Sequence, residues 1–166
     1  MNAAHWHLIL NHVPVIGTAF GIPFLIVGLI RHNNTMVRSS FWIFIFVGLF
    51  SFPVYFTGEP TAEIVSQIPG VSQTVIDEHE EAAETAFVGA IVLGLLAAVG
   101  LAAHRMRKQV GRVTVALVLI CSIIVFVLMA GAANQGGEIR HQEIKMQSSP
   151  GSNEQLVPQQ PADDDD

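Results

Sequence analysis

Four stretches of the chain, residues 13–30, 41–56, 86–103 and 113–133, contain no charged side chain. Each approaches the roughly 20 apolar residues that a helix needs to cross a hydrocarbon core. Few architectures accommodate such a pattern. In lipid every backbone N–H and C=O must find an internal partner, so a spanning segment is either a helix or part of a closed barrel. A barrel would show segments of about ten residues with alternating polarity, and these stretches do not alternate. The expected fold is all-α, a four-helix transmembrane bundle with spans at about 5–30, 40–57, 82–104 and 112–134. Residues 1–145 form this domain, and residues 146–166, rich in Ser, Pro and Gln and closing on four aspartates, read as a disordered acidic tail. A mean hydropathy of +0.48 with 13% charged residues excludes an ordinary soluble domain. The net charge of −6 argues against nucleic acid as a partner and leaves the lipid bilayer as the first one.

Loop charges set the orientation. No Lys or Arg precedes the first span, so it lacks the positive n-region of a cleavable signal peptide. Arg31 and Arg38 follow span one, and Arg105, Arg107, Lys108 and Arg112 lie between spans three and four. The other side carries only Arg140 and Lys145 among many carboxylates. The positive-inside rule then places both termini and the long second loop outside. In a bacterium this means a multi-pass protein of the inner membrane with periplasmic termini.

Local signals refine the helices. Pro14 should kink the first, because it removes a donor and crowds the preceding turn. Gly17 and Gly21 form a GxxxG pair, continued by Gly28, that lets a neighbouring helix approach. Gly58, Glu59 and Pro60 read as a turn ending the second helix. Residues 61–68, with Ile64, Val65 and Ile68 on one side, read as a short interfacial helix. Ser72 is an expected N-cap for the third helix, and Gly136 and Gly137 an expected stop for the fourth. Cys121, the lone cysteine, has no disulfide partner and reads as a small packing residue.

Against this frame the histidines stand out. Five of the seven, His5, His7, His12, His79 and His141, fall on the outer side, leaving His32 and His104 inside. Ionisable groups near membrane spans mark functional sites by default. At roughly 100° per residue, His79 shares a stripe with Ala83, Ala86, Ala90 and Ala97, opposite Val88, Val92, Leu95 and Val99. Small residues mark the packed face, so His79 should point into the bundle while Asp77, Glu81 and Glu84 face away. His7 and Asn11 extend the glycine stripe toward a neighbouring helix. His12 is the deepest of the five and lies on a different face, with His5, which reads as a solvated residue at the interface.

Neutral imidazole is the commonest transition-metal ligand and a usual axial ligand of haem iron. The candidate cofactor-binding residues are therefore His7, His12, His79 and His141. They would hold either a b-type haem or a transition-metal ion, with Glu59, Glu80 and Glu138 the candidate added ligands of the ion. No CxxCH motif for covalent haem and no HExxH motif is present. Such a chain would be a redox or metal-binding subunit, serving electron transfer with other membrane or periplasmic redox subunits. The alternative is a structural or assembly subunit with no cofactor of its own. A stand-alone membrane enzyme with a His/Glu site is a third class, for which no substrate is indicated.

The run from His7 through Asn11, His12 and Pro14 to Gly17, with Thr57 to Pro60, His79 to Glu81 and Gly136 to His141, resembles an uncharacterised family of small four-span bacterial membrane proteins. The resemblance covers roughly residues 1–145 and leaves out the acidic tail. It implies the same topology and the same outer-face histidines, and brings no activity with it.

Overall fold

The computed structural model describes residues 3–69, 71–107 and 111–140, all of them in helices or short connections. Helix α1 covers Ala3–Leu10, α2 His12–Ile30, α3 Asn34–Ser66, α4 Gln73–Arg107 and α5 Arg112–Arg140. Helices α1 and α2 together form the first apolar rod. That rod and the other three helices are long and apolar enough to cross a membrane.

Proline explains where the first rod is interrupted. The break falls at Asn11, whose N–H still donates to the His7 carbonyl at 2.9 Å. Pro14 thereby sits in the first turn of α2, where its missing N–H has no intrahelical partner to lose. One turn deeper, the fully buried Thr18 returns its hydroxyl to the Pro14 carbonyl at 2.8 Å.

The α2–α3 turn closes through a Schellman pattern. Asn33 N–H donates to the Gly28 carbonyl at 2.8 Å and His32 N–H to the Leu29 carbonyl at 3.2 Å. His32 takes the left-handed position, with φ 49°, that glycine usually fills. Asn33 then caps α3, its Oδ1 accepting from Thr35 N–H at 3.0 Å and Met36 N–H at 3.2 Å. So tight a connection makes α2 and α3 antiparallel neighbours.

Helix α3 is central, packing on α2 and α4, while α5 packs chiefly on α4. Its inward side chains Phe41, Phe44 and Val47 are fully buried with Leu25, Ala90, Leu93, Ala97 and Val118. Small residues receive the large ones: Gly21 faces Phe44, and Gly100 faces Phe41. At the α3–α4 crossing Gly48 and Gly94 bring two backbones together. A Cβ on Gly48 would lie 3.0 Å from the Ala90 carbonyl and 3.3 Å from Gly94 Cα. Outside, Phe20, Trp42, Leu49, Val88, Val92, Leu95, Val99, Ile120 and Val127 are exposed. That distribution is the one a lipid-facing bundle requires, and α4 divides as its sequence indicates, alanines inward and large aliphatics outward.

Two local expectations are corrected. Gly58, Glu59 and Pro60 do not end a helix: α3 runs unbroken from Asn34 to Ser66, so residues 61–66 are its last turns rather than a separate interfacial helix. Threonine hydroxyls support the disturbed backbone there. Thr57 donates to the carbonyls of Pro53 and Val54, both at 2.9 Å, and Thr61 to that of Thr57 at 2.6 Å. Nor do Gly136 and Gly137 stop α5, which continues to Arg140. The expected acidic tail lies outside the described residues.

Candidate functional site

Two imidazoles enter the bundle at the end where α1 and α4 begin and α3 and α5 finish. His7 leaves α1 toward α3, placing Nδ1 3.2 Å from the Val54 carbonyl oxygen and 3.1 Å from Thr57 Oγ1. A carbonyl only accepts, so Nδ1 carries a proton and donates it. The Thr57 hydroxyl proton already serves the Pro53 and Val54 carbonyls, which leaves its oxygen as a second acceptor for His7. Gly58 lies beside the ring, and a Cβ there would be 3.7 Å from His7 Cε1.

His79 does the same between α4 and α5. Its Nδ1 donates to the Ala132 carbonyl at 3.0 Å. The ring then lies over Gly136, where a Cβ would stand 3.2 Å from Cε1, 3.6 Å from Nδ1 and 3.7 Å from Nε2. Gly136 therefore has a tertiary reason to be glycine. It seats an imidazole against the helix backbone, and this replaces its expected role as a stop.

The two rings are partly buried. Each has its Nδ1 fixed by a backbone acceptor on a different helix. In the neutral ring the Nε2 lone pair is then the one available for coordination. Two buried amide oxygens lie nearby in sequence. Asn11 Oδ1, one turn after His7, and Gln135 Oε1, beside Gly136, have no hydrogen-bond partner. A buried acceptor without a donor costs about 1–3 kcal/mol.

The other expected ligands are placed differently. His12 is exposed, and its Nδ1 donates to the Leu8 carbonyl at 2.8 Å on its own rod. Its depth in the apolar run suggested a buried role; the i−4 carbonyl answers its polar demand instead. Glu59 and Glu80 are exposed. The side chain of Glu138 and the whole of His141 lie outside the described residues. Among the described residues no three His, Cys, Asp or Glu side chains gather closely enough to hold a metal ion. What the structure places at this one end of the bundle is His7, anchored to α3, and His79, anchored to α5.

Sequence reasoning missed the partners of this pair. Val54 and Ala132 contribute only carbonyls, which carry no signature in side-chain identity. Gly136 was read as a helix stop, and Thr57 only as a polar residue flanking the second span. No protein-family model, curated protein or solved structure matches the chain.

Proposed function

We propose that His7 and His79 are the protein ligands of a redox or metal centre at the outer end of a four-helix membrane bundle. The centre is a b-type haem or a transition-metal ion, and the chain is a subunit passing electrons to a membrane or periplasmic redox partner. The observation that carries this is the matched orientation of the two rings. Ligating histidines characteristically donate their other ring N–H to a carbonyl or carboxylate, which fixes the tautomer and aims the lone pair. Both His7 and His79 donate through Nδ1 to a backbone carbonyl. They come from separate helices, as the side chains of cofactor and metal sites in helical bundles do. The orphaned oxygens of Asn11 and Gln135 suit groups that donate hydrogen bonds, such as water molecules on a metal ion.

A second reading has its own support. Each histidine bond joins two helices, α1 to α3 and α4 to α5, so the pair could act purely as interhelical ties in a structural or assembly subunit. Such bonds average about 0.6 kcal/mol within membranes. A visible spectrum and elemental analysis of protein purified from haem- and metal-replete cells separate the two. A Soret band or a stoichiometric metal supports the redox centre, and their joint absence leaves the structural role. The periplasmic placement of this end rests on the loop charges.

A further inference from the structure

At the opposite end of the bundle α3 and α4 flank an open-sided cavity of about 470 Å³, lined by Arg38, Trp42, Leu101, Ala102, His104 and Arg105. Arg38 and Trp42 stand one helical turn apart on α3, and Leu101 and Arg105 one turn apart on α4. Two guanidinium groups thus open onto one space from facing helices. His104 Nδ1 is buried without a hydrogen-bond partner, while Trp42 is 61% exposed on the outer surface of α3.

These cations have no acidic counterpart in their own segments. No Asp or Glu occurs between residues 31 and 58 or between 85 and 137, so Arg31, Arg38, Arg105 and Arg112 share an end with no carboxylate in these stretches. Arg105 lies in the last turns of α4, where a cation also complements the negative end of the helix dipole. Arg38 has no such compensation. It lies in the second turn of α3, beyond the reach of the helix end, and is exposed. An external anion resolves this arrangement.

We propose that the cavity binds the phosphate of an anionic glycerophospholipid from the adjoining leaflet. Arg38 and Arg105 grip the phosphate oxygens, since planar guanidinium suits phosphate in two-pronged fashion. His104 lines the same space as the two arginines. Trp42 and Leu101 receive the glycerol and the first methylenes of the acyl chains, the usual place for an interfacial tryptophan. Basic pockets between transmembrane helices on the positive side are suited to such head groups. The chemistry shared with soluble phosphates is the phosphate itself. The apolar wall and the lipid-facing Trp42 favour the lipid.

The test uses the full chain carrying Trp6→Phe, which leaves Trp42 as its only tryptophan, reconstituted in bilayers. Quenching by brominated phosphatidylglycerol is compared with quenching by brominated phosphatidylcholine. A preference for the anionic lipid of at least about fivefold is expected, the effect of roughly one arginine near an anionic surface. Arg38→Gln with Arg105→Gln should bring the preference to about one, and Arg31→Gln with Arg112→Gln, outside the cavity, should leave most of it. No preference in the parent protein overturns the proposal. So does an equal loss in both arginine pairs, which would mean general surface charge. Displacement of the brominated lipid by millimolar inorganic phosphate would assign the site to soluble phosphates and overturn the lipid.

Discussion

Adjacent glycines near the end of α5 should respond differently to the same substitution. At Gly137 an added Cβ meets nothing within 4 Å. Gly137→Ala should therefore show only the gain in helix propensity, about 1 kcal/mol. At Gly136 the same methyl would stand 3.2 Å from His79 Cε1, so the ring must retreat by a few tenths of an ångström. Its Nδ1 bond to Ala132, now 3.0 Å, then lengthens toward the limit of a useful hydrogen bond. Losing it costs about 0.5–1.5 kcal/mol, which cancels the propensity gain. The two variants should differ by about 1 kcal/mol, a melting difference of roughly 2–4 °C for a chain of this size. Thermal unfolding in detergent measures the difference, and ¹⁵N NMR of the His79 ring reports the Nδ1–H directly. If Gly136→Ala stabilised as much as Gly137→Ala with the ring signal unchanged, the packing of His79 on α5 would be refuted.

Three further expectations follow from the same geometry. Thr57→Val removes one acceptor of His7 and the hydroxyl bonds to the Pro53 and Val54 carbonyls, and should lower stability by about 0.6–1.7 kcal/mol, read as a shift in the thermal midpoint. His32→Gly relieves a left-handed residue at φ 49° and should raise stability by about 1 kcal/mol without touching the outer site. In a Cys121→Ala background, a cysteine placed at Ser149 should react with an impermeant maleimide added outside the cell and one at Gln109 should not; the reverse pattern contradicts the orientation read from loop charge.

Much of the scaffold was legible because lipid imposes simple rules. The stripe of Ala86, Ala90 and Ala97 and the opposed Val88, Val92, Leu95 and Val99 divide between core and surface as periodicity requires. The inward aim of His79 follows from that stripe. What was not legible lies where tertiary contacts override local chemistry. Pro60 reads as a helix end by itself, yet α3 passes through it with Thr57 and Thr61 hydroxyls on the neighbouring carbonyls. Gly136 resembles a cap until a histidine from another helix is laid on it. His12 looked the most demanding of the histidines, and a single carbonyl four residues back satisfies it. The carbonyls of Val54 and Ala132, which orient the candidate pair, are invisible in any sequence.

His79 and Glu81 offer the most direct test of the proposed centre, because they share a helix and differ in direction by about 160°. His79 is partly buried against Ala132, while Glu81 is exposed. Haem absorbance and metal content per chain should be measured for the parent, His7→Ala, His79→Ala and Glu81→Ala, each checked for native helicity. The expected result is a cofactor signal in the parent and in Glu81→Ala that is lost in both histidine variants. A signal retained by folded His7→Ala and His79→Ala, or abolished by Glu81→Ala alone, would contradict the site.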